Sequence, residues 1–350
     1  MKSCRIVVDA MGGDNAPEEI VKGTLRALEE TENMECVLVG DEKLIQKVLF
    51  ETQAQFKQVE IVHTGDSIAM NEDPKNAVES KPEASINVAA KLVSENEGDA
   101  LVSAGNTGAT ILACSRTINR LPGIERAALA AIFPAMKNKP DDPGRTIMLD
   151  VGATLHCTTN QLISFAIMGM HYAHYVMNIE SPRVGLLNIG EEETKGHDVQ
   201  VEAHQMLRKI PEINFIGNLE GKDVLRGNAD VIVSEGFVGN IVLKALEGVG
   251  EIAFEIGKKI WKRNLFSKAG LALLSPVLNK IKKRLDYTEY GGAPILGLEK
   301  LVIKSHGRSN AKALKNALLL AKLSVENELN KHMEESIQHF YDLLLHRVNS

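Results

Sequence analysis

Much of what would assign this chain quickly is missing from it. The cysteines, Cys4, Cys36, Cys114 and Cys157, are far apart and show no paired spacing. That argues against a disulfide framework or a zinc site and for reduced thiols in a cytoplasmic protein. No G-x-x-x-x-G-K-[ST] occurs, which removes the P-loop, and no G-x-S-x-G, which removes the nucleophile elbow. The nearest approach to a dinucleotide fingerprint, Gly248-Val-Gly-Glu-Ile-Ala253, falls inside a helical pattern and has no acidic residue about twenty positions on. Met1 to Asp9 runs straight into a strand pattern without a signal-peptide apolar region, so export is not expected. Charges of both signs are absent from Val151 to Ile179, a run long enough to cross a bilayer. Its His156, Asn160, Gln161, His171, His174 and Asn178 instead make a buried helix or subunit interface the expectation. Acids are absent from Ile256 to Leu285, where nine basic residues stand in a chain of net charge −6. Such a block calls for a negatively charged partner.

What is present is ordinary for a soluble globular protein: 350 residues, 44% hydrophobic and 25% charged. Apolar runs at Cys4–Asp9, Glu35–Gly40 and Val59–His63 alternate with helical patterns at Glu18–Glu30 and Glu42–Phe50. This is the β-α-β alternation of a parallel sheet covered by helices on both faces. Further strands are expected at Asp99–Ala104, Ala127–Phe133, Arg145–Asp150, Arg183–Ile189, Ile213–Gly217, Asp230–Ser234 and Leu301–Ser305, a sheet of about ten strands. Asp286 to Gly297 reads as a glycine-rich loop. No repeat or domain boundary is visible. The expectation is one α/β/α domain over 1–350, with a basic helical arm at 256–285 and a C-terminal helix at 308–348.

Five turns share one design, in which a strand meets a glycine with a small polar residue and then a helix. They lie at Met11–Asn15, Gly105–Gly108, Gly152–Ala153, Gly190–Gly196 and Gly236–Asn240. If the strands are parallel, the turns gather on one rim, where backbone N–H groups and helix N-termini favour an anion. Candidate phosphate or substrate contacts are Asp9, Gly12, Gly13, Asn106, Thr107, Gly108, Gly190, Gly196 and Gly239. Lys195 is the only cation in its turn, and Asn240 carries an amide donor, so the two suit direct transfer onto a bound oxyanion. The plain alternatives are a solvated lysine beside Glu191, Glu192 and Glu193, and an asparagine helix cap. His171 and His174 read as core or interface residues, and Cys114 and Cys157 as inert packing. No cofactor or metal is implied.

Together DAMGGDNAPEEIVKG (Asp9–Gly23), SAGNTGA (Ser103–Ala109), DVGA (Asp150–Ala153), LLNIGEEETKG (Leu186–Gly196), EGFVGNIVLKALEG (Glu235–Gly248) and YGGAPILG (Tyr290–Gly297) resemble the bacterial phosphate acyltransferases of phospholipid synthesis. The resemblance runs from Ile6 to about Leu318. It implies transfer of a fatty acyl group from acyl carrier protein to inorganic phosphate by a homodimer. It also implies a three-layer α/β/α fold like that of the isocitrate and isopropylmalate dehydrogenases, and Lys195 and Asn240 as the catalytic pair. The chain departs from the pattern at Lys81–Ser85, at Glu235, where Asp is more usual, and at Thr154, where Asn is more usual. In this light the arm residues Trp261, Leu265, Phe266, Lys268, Leu271 and Leu274 have the composition of a helix that lies peripherally in the inner membrane surface, near a membrane glycerol-phosphate acyltransferase. The same lysines would also suit an acidic carrier protein, and a packed dimer interface is the bland alternative. The competing readings are a phosphotransacylase using acyl-coenzyme A, a metal-dependent dehydrogenase and a non-catalytic membrane scaffold. No nucleic-acid contact is expected.

Overall fold

The computed structural model describes residues 3–52, 57–138, 143–263, 268, 273–275 and 290–348. Eleven strands form one sheet in the order β3-β2-β1-β4-β11-β10-β5-β6-β9-β7-β8. The amino half supplies β1 (Cys4–Asp9), β2 (Met34–Gly40), β3 (Val59–His63) and β4 (Ala100–Ser103). The centre is β5 (Ala128–Pro134), β10 (Ala293–Leu296) and β11 (Leu301–Lys304), and the other half is β6 (Arg145–Leu149), β7 (Arg183–Leu187), β8 (Asn214–Leu219) and β9 (Val231–Val233). The expected α/β/α class and large, mostly parallel mixed sheet are what is observed.

Strand direction departs from the simplest expectation. β1, β2, β3, β4 and β11 are mutually parallel. β10 is antiparallel to both β11 and β5, and β5 is antiparallel to β6. β6, β9, β7 and β8 are again parallel to one another. Three successive reversals leave the two halves running in opposite directions. Their carboxyl ends therefore open on opposite rims.

Alternating side chains feed two cores. Ile6 and Val8 of β1 face one layer while Val7 faces the other, and Ile147 and Leu149 of β6 are likewise separated from Met148. The first face carries α1 (Glu18–Glu30), α2 (Glu42–Glu51), α6 (Thr159–Tyr175), α7 (Asp198–Leu207), α9 (Ala311–Glu326) and α10 (Leu329–Val348). The second carries α3 (Pro74–Ser80), α4 (Ser85–Ser94), α5 (Thr107–Thr117) and the root of α8 (Gly236–Arg263). Gly23 lets α1 and α9 touch, since a Cβ there would lie 2.7 Å from Leu314 Cβ. The charge-free run becomes α6, whose Leu162, Phe165 and Tyr172 are fully buried. Among the described residues no helix is long and apolar enough to cross a membrane.

Two local expectations are corrected. The segment read as a glycine-rich loop contains β10. Pro294 is tolerated in this strand because it pairs only with Ile303 of β11, and pairing to β5 begins at Ile295. The missing N–H thus falls where one side of the strand has no partner. The C-terminal helix expected over 308–348 is two helices. The chain breaks at Asn327, whose side chain donates to the Tyr175 carbonyl at 2.6 Å, and at Glu328, which adopts φ +49°. α3 was not foreseen: it starts on Pro74, capped by Asp73, which accepts from the Asn76 N–H at 2.9 Å.

At the α6–α10 contact, His171 shares a 2.7 Å hydrogen bond with Ser336 and stacks on Tyr175, which stacks in turn on His332. Burial, helped by His332 and His174, pushes the His171 pKa down to about 4. The unfolded chain takes that proton near pH 6.5, so stability is complete above that pH and declines as pH falls from 6.5 through 4. The expected loss is at most about 3 kcal/mol. Urea melts of wild type and His171→Gln across this range should show a steeper acid decline in wild type; equal slopes would remove His171 as the cause.

Candidate active site

The carboxyl ends of β6, β9 and β7 lie side by side on one rim. β7 sends its chain to α7 on the first face, and β9 sends its chain to α8 on the second. Neighbouring parallel strands whose connections leave to opposite faces open a crevice between them, the usual ligand position of such sheets. Lys195 and Asn240 flank this crevice, one before α7 and the other one turn into α8.

Asp150 builds the floor beside it. Its Oδ1 accepts from the backbone of Leu129, Gly152 and Ala153, each at 3.0 Å. Its Oδ2 accepts from the Thr154 N–H and hydroxyl, both at 2.7 Å. The carboxylate is fully buried and saturated by donors, so it is a scaffold and not a base. The Thr154 hydroxyl thus takes up a role at the position where the family resemblance pointed to Asn. α8 starts against this loop because glycines let it. A Cβ at Gly239 would lie 2.0 Å from the Asp150 carbonyl oxygen, and one at Gly236 would lie 2.3 Å from Oδ2. Asn240 is half-buried and donates through Nδ2 to the Val151 carbonyl at 2.9 Å, which leaves its second N–H for the crevice.

The Lys195 turn is held from below. Asn188 donates to the Lys195 carbonyl at 2.9 Å, and Asn218 donates to the Glu192 carbonyl at 2.8 Å. Gly196 has φ +94° and sits against the Asn188 side chain, and Gly190 lies beneath the Lys195 stem. Glu191 pairs with Lys222 at 3.3 Å and Glu193 pairs with Arg208. The Lys195 side chain is exposed, and among the described residues its amine has no acidic partner. Two of the three neighbouring glutamates are thus occupied elsewhere, and Lys195 is left as a cation at the mouth of the crevice.

Asp9, Gly12, Gly13, Asn106, Thr107 and Gly108 are gathered on the opposite rim, at the carboxyl ends of β1 and β4. The expectation that all five turns share one rim is therefore corrected by the reversals in the sheet centre. This second crevice also lies between helices on opposite faces, α1 and α5. Asp9 is buried and accepts from Ser85 at 2.6 Å and Ser103 at 2.7 Å. Burial raises its pKa, and the two serines and Lys304 oppose the rise. Gly12 packs on the Asp9 carboxylate, and Gly13 takes φ +110° between the Ala104 and Gly307 carbonyls. Asn106 caps α5 and donates to the Met70 and Glu72 carbonyls at 3.2 and 3.1 Å. Gly108 allows Pro74 to approach, and Thr107 is exposed at the first position of α5.

Lys304 at this rim was not singled out from sequence. It is buried, donates to the Ser305 carbonyl, and burial lowers its pKa to about 8. A lysine closing the apolar strand LVIK was the available signal. Ser85 and Ser103 were also missed as partners of Asp9. Burial pushes the thiols of Cys4, Cys36 and Cys114 up to about 12 and also raises that of Cys157, which marks none of them as a nucleophile. The Gly248–Ala253 motif lies within α8, and its glycines face open space. Of the arm residues, Trp261, Lys268 and Leu274 are exposed, and Leu265, Phe266 and Leu271 lie outside the described residues.

A family model described as "Fatty acid synthesis protein" matches residues 4–332. The "Phosphate acyltransferase" of Thermoanaerobacter pseudethanolicus is 43% identical over 340 residues, covering 97% of this chain and 99% of that protein. That of Nostoc punctiforme is 46% identical over 331 residues, covering 94% and 95%. The chain belongs to the phosphate acyltransferase family. The fold of this family member is also that of a solved phosphotransacetylase from Streptococcus pyogenes, with TM-score 0.61, 16% identity, and 95% and 94% of the two chains covered. A branched-chain phosphotransacylase from Enterococcus faecalis gives TM-score 0.55 at 16% identity, covering 92% and 99%.

The packing of α8 on the Asp150 loop is directly testable. Gly239→Ala should destabilise this phosphate acyltransferase family member by about 2 kcal/mol or more, because backbone must move. A urea midpoint equal to wild type would show that α8 does not need that contact.

Proposed function

We propose that this protein transfers a fatty acyl group from acyl carrier protein to inorganic phosphate, forming acyl phosphate for phospholipid synthesis. The observation that carries the reading is the crevice between β7 and β9, with an unpaired ammonium on one side and an amide donor on the other. Phosphate is held by Lys195 and by free N–H groups where α7 and α8 begin, with Gly190, Gly196 and Gly239 permitting close approach. One phosphate oxygen attacks the thioester carbonyl. The second Nδ2–H of Asn240 meets the oxyanion as it develops. Collapse breaks the carbon–sulfur bond, and the carrier leaves as thiolate, which takes a proton from solvent. No enzyme-bound acyl intermediate is needed, in keeping with the buried, high-pKa thiols.

In this reading the amino-half crevice, with Asp9 tied to Ser85 and Ser103, frames the fold and leaves the anion to the other rim. The distal part of α8 presents Phe254 and Trp261 on one face, 63% and 46% exposed, beside Lys258 and Lys262. An apolar stripe flanked by cations suits the carrier protein, the second subunit of a homodimer or the inner membrane surface.

Because Lys195 is exposed, Lys195→Ala should leave the thermal midpoint unchanged. Phosphate-dependent consumption of acyl-acyl carrier protein should fall on the order of 10²-fold, the scale of one lost transition-state donor. Asn240→Ala should slow the same assay by a similar order. Near-normal acyl phosphate formation by the lysine variant would remove it from the mechanism. Faster turnover of acyl-coenzyme A than of acyl carrier protein would change the assigned donor.

A further inference from the structure

Strand β6 opens on an arginine at an inward position. Arg145, Ile147 and Leu149 alternate onto the same face, and the last two lie in the core under α6. Above Arg145 is a cavity of about 180 Å³ between α6 and α9. Its wall is aliphatic where Ile132, Val176 and Leu320 contribute, and Leu323, 42% exposed, stands at its mouth. Arg145 and Tyr172 also line it. Arg145 Nε and the Tyr172 hydroxyl are both buried, and neither has a hydrogen-bond partner among the described residues. Arg145 makes no ion pair among the described residues either, yet its charge is felt at Tyr172.

Two buried donors left without acceptors are rare in a folded protein and ask for an acceptor. An arginine beside a phenol supplies what a carboxylate takes: a planar fork and one further O–H donor. The aliphatic part of the wall, from Ile132, Val176, Met177 and Leu320, takes hydrocarbon, while Tyr290 and Asn316 give the rest of the wall a polar edge. A cavity of about 150 Å³ admits benzene, so this one holds a carboxyl group and about four to six carbons, with any longer chain leaving past Leu323. The site is not the reaction crevice. Arg145 begins β6 and Asp150 follows its end, which separates them by about 16 Å along the strand. The cavity also opens on the first face, whereas Asn240 belongs to a helix on the second.

We propose that this cavity is a second ligand site, for a short to medium-chain alkyl carboxylate, with the carboxylate on Arg145 and Tyr172 and the chain between α6 and α9. The proposal does not depend on the acyl-transfer reading.

Calorimetric titration of the full chain with octanoate tests it. Saturable binding of one octanoate per chain is expected, with 1-octanol at least ten times weaker because it lacks the charge. Arg145→Met should weaken octanoate at least tenfold, and Tyr172→Phe several-fold, at unchanged far-ultraviolet dichroism. Lys195→Ala should bind octanoate as wild type does, which separates this cavity from the reaction crevice. If Arg145→Met fails to fold, Tyr172→Phe and the octanol comparison decide. Absence of saturable binding, equal affinity for octanol, unchanged affinity in the folded variants, or loss of binding in Lys195→Ala would each overturn the proposal.

Discussion

The two antiparallel pairings that β10 makes in the sheet centre, with β11 and with β5, and the further one between β5 and β6, set the organisation of this protein. Each reverses the chain direction, and after three reversals the two halves of the sheet point opposite ways. Parallel strands direct their carboxyl ends, and the amino ends of the helices that follow, toward a common rim. A single chain therefore has two such rims rather than one. Glycine turns that look equivalent in sequence are divided between them, and the β7–β9 set carries at its mouth Lys195, a cation without an acidic partner among the described residues.

Chemistry follows from how each rim is finished. On the β1–β4 side the Asp9 carboxylate accepts from the Ser85 and Ser103 hydroxyls, and the buried Lys304 donates to the Ser305 carbonyl, so both charged groups are engaged within the protein. On the β7–β9 side the carboxylate of Asp150 is consumed by five donors from its own loop and from Leu129, and two glycines bring α8 down onto that loop. The result is rigid backbone beneath a donor from Asn240 and a cation from Lys195. Rigidly placed dipoles stabilise a developing oxyanion without reorganising at the moment of reaction. That is the contribution the proposed acyl transfer to phosphate most needs where burial raises the pKa of every cysteine thiol.

Much of this was legible in the chain. Apolar runs ending in glycine, such as Arg183–Ile189, gave strands within a residue or two, because burial on both faces leaves an unmistakable pattern. Lys195 and Asn240 stood out through local chemistry alone. Strand direction was not legible, because pairing between residues as distant as Leu129 and Ile295 leaves no local mark. β10 was masked by its proline and flanking glycines, and the break at Glu328 by continuous helical patterning on either side. Arg145 and Lys304 each looked like strand-end charges. Only packing shows that one faces a cavity and the other a buried aspartate.

The central claim is that inorganic phosphate binds where α7 and α8 begin. The most direct measurement is a crystal structure of the protein soaked in phosphate with a non-hydrolysable acyl-carrier analogue. The account predicts the anion within hydrogen-bonding reach of the Lys195 amine, between the chain ends of β7 and β9. Phosphate lodged instead only against Gly12, Gly105 and Asn106, on the opposite rim, would contradict it.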